Sequence, residues 1–438
     1  MEWFLPLVII FSSLIFLLAT RLPVAFCFLT FNLAAAFFIW GGETGLYQLV
    51  LSIFSSVTMF SLLPVPLFIL MGEVLFHSGL AFRAIDVLDK WMGRLPGRLG
   101  LVAVGSGAIL AALSGSSMGT TAMMGSILSP EMERRGYKKP MSIGPIIGSG
   151  GLAIMIPPSA LAVILAALAQ ISVGQLLIAG IVPGLLMATL YGSYIILRCW
   201  LQPSVAPPYT PAPTPITEKL ASTARYVMPF GLIIFVVIGF ILLGVATPTE
   251  SAAMGALACY VLTIFYKRFN WGLIKKSIMG TLRIAIMMFM ILTGAMAFSQ
   301  ILAFTGASKG LSQFVTSLDV APIVLIILIQ VVILFLGTFM EQVSIMMITF
   351  PIFMPLVRDL GVHPILFGLL VLLSLEVSMR TPPFGFLLFV MKGIAPPDTT
   401  MADIYRAAFP FIICDLVAMG VIMAFPQIAT WLPSIMIQ

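Results

Sequence analysis

"LAALSGSSMGTTAMMG" (residues 110–125) sits inside a strongly apolar chain. Its flanks are too apolar for a solvated loop. Its centre, Ser114-Gly115-Ser116-Ser117 followed by Gly119, Thr120 and Thr121, is too rich in glycine and hydroxyls for a plain lipid-facing helix. The 438 residues are 61% hydrophobic and only 9% charged, whereas soluble domains carry roughly 25% charged residues. Apolar runs near the ~20 residues that cross a bilayer recur from end to end. The composition therefore defines an all-α polytopic membrane protein, because the strands of a membrane barrel would give short alternating segments. Crossings are read at 4–20, 23–40, 58–80, 140–170, 175–198, 226–246, 250–266, 281–304, 363–390 and 406–425. The start, Met1-Glu2-Trp3, lacks the basic residues of a signal peptide, so the first run reads as a permanent helix. Cys27, Cys199, Cys259 and Cys414 stand singly, and His77 and His363 are alone. This spacing offers neither a disulfide framework nor a metal site, and no hydrolase constellation.

Two stretches, about 99–133 and about 322–357, remain outside those crossings. Basic clusters flank the first on both sides: Arg83, Lys90, Arg94 and Arg98 before it, Arg134, Arg135, Lys138 and Lys139 after it. If both ends are cytoplasmic, the segment enters and leaves by one face. Each half of ~15 residues spans about 22 Å as a helix, short of the ~30 Å hydrocarbon core. A re-entrant helical hairpin solves this, with its tip at 114–117 near mid-membrane. Irregular backbone is tolerated there only where it is buried in protein or lines a cavity. Propagating this topology puts 19 of the 22 lysines and arginines on the cytoplasmic side, leaving Lys309, Arg358 and Arg380 elsewhere. That is the positive-inside pattern, so the net charge of +6 points to no nucleic acid. Both termini come out periplasmic. The Pro-rich run 202–224 reads as a semi-extended cytoplasmic linker.

The linker divides two halves that repeat each other. From Gly72 to Ser116 is 44 residues, and from Gly294 to Thr338 is 44. "LSGSSMG" (113–119) thus faces "LGTFMEQ" (336–342), and "IMIPPSA" (154–160) faces "SMRTPPFG" (378–385). Because the first hairpin enters from the cytoplasm and the second from the periplasm, the repeats are inverted. The interfacial segments 41–57, without Lys or Arg, and 267–280, with Lys267, Arg268, Lys275 and Lys276, are expected on opposite faces. The first repeat, 1–201, holds scaffold helices 1–82, hairpin 1 (99–133) and a broken helix (140–170). The second, 225–438, holds scaffold helices 226–304, hairpin 2 (322–357) and a broken helix (363–390).

Inverted repeats with broken helices near the midplane are the build of secondary transporters. A Pro-Pro pair removes two N–H donors and breaks a helix, freeing carbonyls for a desolvated Na⁺. Hydroxyls add hard oxygen ligands, and helix N-termini attract a substrate anion. The first Na⁺ site is assigned to Ser114, Gly115, Ser116, Pro157, Pro158 and Ser159. The second is assigned to Gly337, Thr338, Glu341, Thr381, Pro382 and Gly385. Ser116, Ser117, Arg380 and Thr381 are the residues assigned to substrate. Small residues also mediate close helix packing and prolines can simply kink a helix, but two tip-plus-break pairs at matched spacing favour the ligand reading.

These motifs resemble the large membrane subunit of the tripartite ATP-independent periplasmic (TRAP) transporters, a DctM-like permease. The resemblance covers essentially the whole chain. It rests on "PVPLFILMGEVLFHSGL" (64–80), "LSGSSMGTTAMMGSILSPEMERRGY" (113–137), "IPPS" (156–159), "AGIVPG" (179–184), "TPTESAA" (247–253), "FPIFMPL" (350–356) and "TPPFGFLLF" (381–389). It implies an elevator-type, Na⁺-coupled importer of organic acids in the bacterial inner membrane, within the ion-transporter superfamily. It also implies a periplasmic substrate-binding protein and a small four-helix membrane subunit, expected here as a separate chain. One position departs from the pattern: the residue before "TPP", often apolar in the family, is Arg380. An ionisable residue at that depth is a functional hypothesis by default. It either binds a substrate carboxylate or pairs with Glu376, four residues earlier on the same helix face. Among the other acids, Glu250 is expected to cap a helix, Glu341 to stand near the second cation, and Glu73 and Asp415 to pair within the bundle. The rival functions are a channel, since polar hairpin tips also build filters, and a stand-alone anion/Na⁺ symporter.

Overall fold

The structure is a computed structural model and describes residues 3–20, 22–93, 95–207, 214–317 and 320–436. Arg21, Arg94 and the 208–213 part of the linker lie outside the described residues, as does the side chain of Ser114. Among the described residues every regular element is helical. The first half runs α1 (Phe4–Ala19), α2 (Val24–Ile39), α3 (Glu43–Val57), α4 (Pro64–Ser78) and α5 (Leu80–Met92). Next come α6 (Arg98–Ser114), α7 (Ser117–Arg134), α8 (Lys139–Gly150), α9 (Leu152–Met155), α10 (Ala160–Ala169), α11 (Val173–Ala179) and α12 (Ile181–Leu201). The second half runs α13 (Ile216–Tyr226), α14 (Met228–Leu242), α15 (Pro248–Phe265), α16 (Trp271–Phe304) and α17 (Ala307–Thr316). It closes with α18 (Pro322–Gly337), α19 (Gln342–Asp359), α20 (Pro364–Ser378), α21 (Phe386–Ile394), α22 (Met401–Ala424) and α23 (Gln427–Ser434).

One order of elements occurs twice. A long apolar helix (α4, α16) ends at a left-handed glycine (Gly79, Gly306), then an amphipathic helix follows (α5, α17). A pair of mutually packed helices comes next (α6–α7, α18–α19), then an interrupted helix (α8–α10, α20–α21). Both interruptions contain a Pro-Pro pair, 157–158 and 382–383, each with a cis bond.

Three expected boundaries are corrected. Residues 271–280 form no separate interfacial arm but the first turns of the 34-residue α16. Asn270 caps its start by accepting the Leu273 N–H at 2.8 Å, and no proline interrupts it. Part of the linker is not extended: α13 follows Pro215, with Glu218 in its first turn and Arg225 in its last, signs that suit the helix dipole. It packs on α5, where Lys90 binds Glu218 at 2.8 Å and the Trp91 indole donates to the Thr223 hydroxyl at 2.7 Å. Several read crossings are also short. The helices for 4–20 and 23–40 have 16 residues each. Among the described residues five helices are long and apolar enough to span a bilayer, or seven if each bent pair is one span.

Glycines set how closely the middle of the bundle packs. Gly144 and Gly148 stand one turn apart on α8 against α22. A Cβ on Gly144 would lie 2.6 Å from the Ala407 carbonyl, and one on Gly148 would collide with the Phe411 ring. This small-xxx-small spacing lets helices approach closely in a bilayer. Gly148→Leu is expected to lower the melting temperature in detergent, since overpacking costs about 1–3 kcal/mol. An unchanged melt would remove this contact from what joins α8 to α22.

Candidate functional site

The first tip is built by two local rules. α6 stops where Gly115 adopts φ 58°, a left-handed value that favours glycine. Ser116 is extended and caps α7, its hydroxyl accepting the Gly119 N–H at 3.2 Å. Gly115 also lies against the first break: a Cβ there would stand 3.3 Å from the Pro158 carbonyl oxygen and 3.6 Å from the Ala160 nitrogen. Beyond the break, Ser159 caps α10 by accepting the Ala162 N–H at 3.3 Å. Tip 1 and break 1 are therefore adjacent, as the sequence spacing requires.

The second tip follows the same plan with different residues. Glu341 caps α19, its carboxylate accepting the Val343 and Ser344 N–H groups at 3.2 Å each. Gly337 packs so tightly on Ser378, at the end of α20, that a Cβ would collide with it. The Phe339 and Phe384 rings lie 5.7 Å apart, joining the tip to the second break. The breaks differ in environment: Pro157, Pro158 and Ser159 are buried, whereas Pro382 is exposed and Thr381 half-buried.

Both tips wall one cavity of about 290 Å³. Gly115, Ser116, Ser117, Met118 and Gly119 come from tip 1, and Glu341, Gln342 and Val343 from tip 2. Ala160 and Leu161 come from beyond the first break, and Met379 from just before the second. The opposite wall belongs to α4 (Gly72, Glu73, Phe76) and α16 (Ile284, Met287, Met288). Glu73 pairs with His77 at 3.2 Å and leans against Gly280, where a Cβ would collide with its carboxylate. The lining thus carries two carboxylates, Glu73 and Glu341, and no lysine or arginine among the described residues.

Arg380 does not line that cavity. It is fully buried and ion-paired, with Nη2 2.8 Å from Asp415 and Nε 3.6 Å from Glu376. Its Nη1 donates to the Tyr191 hydroxyl at 3.0 Å, and that hydroxyl donates to Asp415. Ser117 of the tip donates to Glu376 at 2.9 Å. Arg380, assigned to a substrate carboxylate, is here paired with two acids from α20 and α22. The expectation of a Glu376 pair holds, with Asp415 as the closer partner.

Of the other assigned residues, Gly115, Ser116, Ser117 and Glu341 meet at the cavity. Gly337, Thr338, Pro157, Pro158, Ser159, Thr381, Pro382 and Gly385 are not among the residues that line it. The Thr338 and Thr381 hydroxyls donate within their own helices, to Phe335 and Val377. Glu250 completes a capping box with Thr247. Sequence reasoning missed Tyr191, Gln342 and Met379. Gln342 and Met379 directly follow and precede assigned positions, a signal that adjacency supplied. At the hairpin exit, Lys139 binds Glu133 and Asp398 at 2.9 Å each, and this hydrogen bond holds the Asp398 carboxyl below its usual range.

A cavity between two helix-pair tips in a bundle of apolar helices is the kind of site that membrane transporters carry. Over residues 11–428 the sequence matches the family described as "Tripartite ATP-independent periplasmic transporter, DctM component", and the chain belongs to that family. The C4-dicarboxylate TRAP transporter large permease protein DctM of Pseudomonas aeruginosa is 32% identical, over 88% of this chain and 89% of its own. The protein of the same description from Rhodobacter capsulatus is 30% identical, over 98% and 99%. The fold is similar to that of the Alcanivorax borkumensis YdaH transporter, with a TM-score of 0.64 at 16% identity, covering 87% of this chain and 89% of that one.

Proposed function

We propose that the protein is the large membrane component of a Na⁺-coupled importer of organic acids, fed by a periplasmic binding protein and completed by a small membrane subunit. The observation that carries this reading is the sign of the cavity. A carboxylate entering a wall that bears Glu73 and Glu341 and no basic residue meets repulsion unless cations enter with it. Na⁺ bound at the tips offsets that charge, so substrate and ion bind better together than either does alone. The similarity to C4-dicarboxylate permeases supports a small acid as cargo.

The first Na⁺ is held by oxygens of Ser114, Gly115 and Ser116 with those of Pro157, Pro158 and Ser159. The second is held by Gly337, Thr338 and Glu341 with Thr381, Pro382 and Gly385. Ser116 and Ser117, whose hydroxyls stand at the start of α7, receive the substrate. The two halves are inverted repeats, a reading that the recurring element order supports. The hairpins and broken helices move as one body against α4 and α16, an elevator motion in the inner membrane with both termini periplasmic and the linker cytoplasmic.

Uptake into liposomes by the full complex tests this, with and without a Na⁺ gradient and binding protein. Flux that ignores both would favour a channel, and flux that needs Na⁺ alone would favour a stand-alone symporter. Within that assay Ser116→Ala is expected to raise the Na⁺ concentration needed for half-maximal uptake severalfold, since a ligand oxygen is worth on the order of 1 kcal/mol. An unchanged Na⁺ response removes this hydroxyl from the ligand set.

A further inference from the structure

The Arg380 cluster has a charge problem that its geometry resolves. Two carboxyls, Glu376 and Asp415, share one guanidinium, and all three side chains are completely buried. With both acids ionised the cluster would hold a net negative charge out of contact with water, which is strongly unfavourable. Among the described residues no other charged side chain is in contact with it. The helices packed on α20 include α9, α10, α11, α18 and α23, which carry no ionisable side chain. On α19 the neutral Gln342 faces α20, donating to the Leu375 carbonyl at 3.5 Å. Arg358 and Asp359 lie at that helix's far end, about 24 Å along it. On α22 the facing group is Asp415, and from α12 it is Tyr191.

The two acids are not equivalent. Asp415 takes the guanidinium at 2.8 Å and accepts the Tyr191 O–H as well. Glu376 stands 3.6 Å from Arg380 and accepts only the Ser117 hydroxyl. We propose that Glu376 is a proton-binding site: it is the neutral acid of the cluster, while Asp415 carries the charge paired with Arg380. Because Ser117 of the cavity-lining tip donates to Glu376, the charge state of Glu376 is coupled to the tip. Glu376 is thus a positioning residue that makes the tip sensitive to pH. Loss of the proton leaves two anions against one cation in a fully buried site, which destabilises the cluster that Ser117 of the tip joins.

The purified full-length protein tests this by infrared spectroscopy and thermal unfolding across pH. Only the uptake arm rests on the transport reading. A carbonyl-stretch band of a buried protonated carboxyl is expected in the wild type and lost in E376Q. The E376Q protein, which mimics the neutral acid, is expected to melt like the wild type at neutral pH and to retain uptake. Its melting temperature no longer falls as pH rises, because a proton held only by the folded state makes stability decline with pH. D415N also abolishes the band, since Glu376 must then ionise against Arg380, and it melts well below the wild type. A band that persists in E376Q, or none in the wild type, overturns the proposal. So does the reverse order of stability, with D415N neutral and E376Q damaged.

Discussion

Arg380→Met is expected to lower the melting temperature of the purified protein sharply, because it strands the Asp415 carboxylate in a fully buried site. Removing one partner of a buried ion pair costs about 3–5 kcal/mol. Arg380→Lys keeps the charge but lacks the planar fork that reaches Asp415, Glu376 and Tyr191 from separate nitrogens, so it rescues only part of the loss. Coupling Arg380→Met to Asp415→Asn removes the stranded charge and is expected to recover stability relative to the single variant. Thermal unfolding in detergent checks all three. A wild-type melt accompanied by lost uptake would return Arg380 to substrate binding.

The second large effect is expected at Glu341, which has two roles. Its carboxylate caps α19 and it carries one of the two negative charges of the cavity. Glu341→Gln keeps an oxygen acceptor for the cap, so the fold survives while the charge is lost. The expected result is at least about a tenfold rise in the Na⁺ concentration for half-maximal uptake, or ~1.4 kcal/mol. Glu341→Ala removes the cap as well, adding about 1 kcal/mol of instability. Uptake by the Gln variant with an unaltered Na⁺ response would exclude Glu341 from the cation site.

The turns between paired helices, the breaks and their pairing were legible in the sequence because each rests on local chemistry: Gly115 turns the chain, Ser116 and Glu341 cap helices, and tandem prolines end them. Residue spacing then brought each tip to its break. The continuity of α16 was less legible, since the basic residues at 267–283 signal an interface without saying whether the helix stops there. The linker helix α13 was obscured by the prolines before it. What the sequence could not tell was which acid takes Arg380. The i,i+4 rule names Glu376, but the nearer partner comes from α22, 35 residues on. Tyr191 was hidden for the same reason: tertiary partners leave no periodic mark on their own helix.

The cavity wall contains Met118, Met123, Met287, Met288 and Met379. Thioether chains are unbranched and polarisable, and they refit to differently shaped neighbours with little penalty. Such a lining is a pliable mould and not a sieve. A lining of this kind discriminates weakly among solutes of similar size and charge.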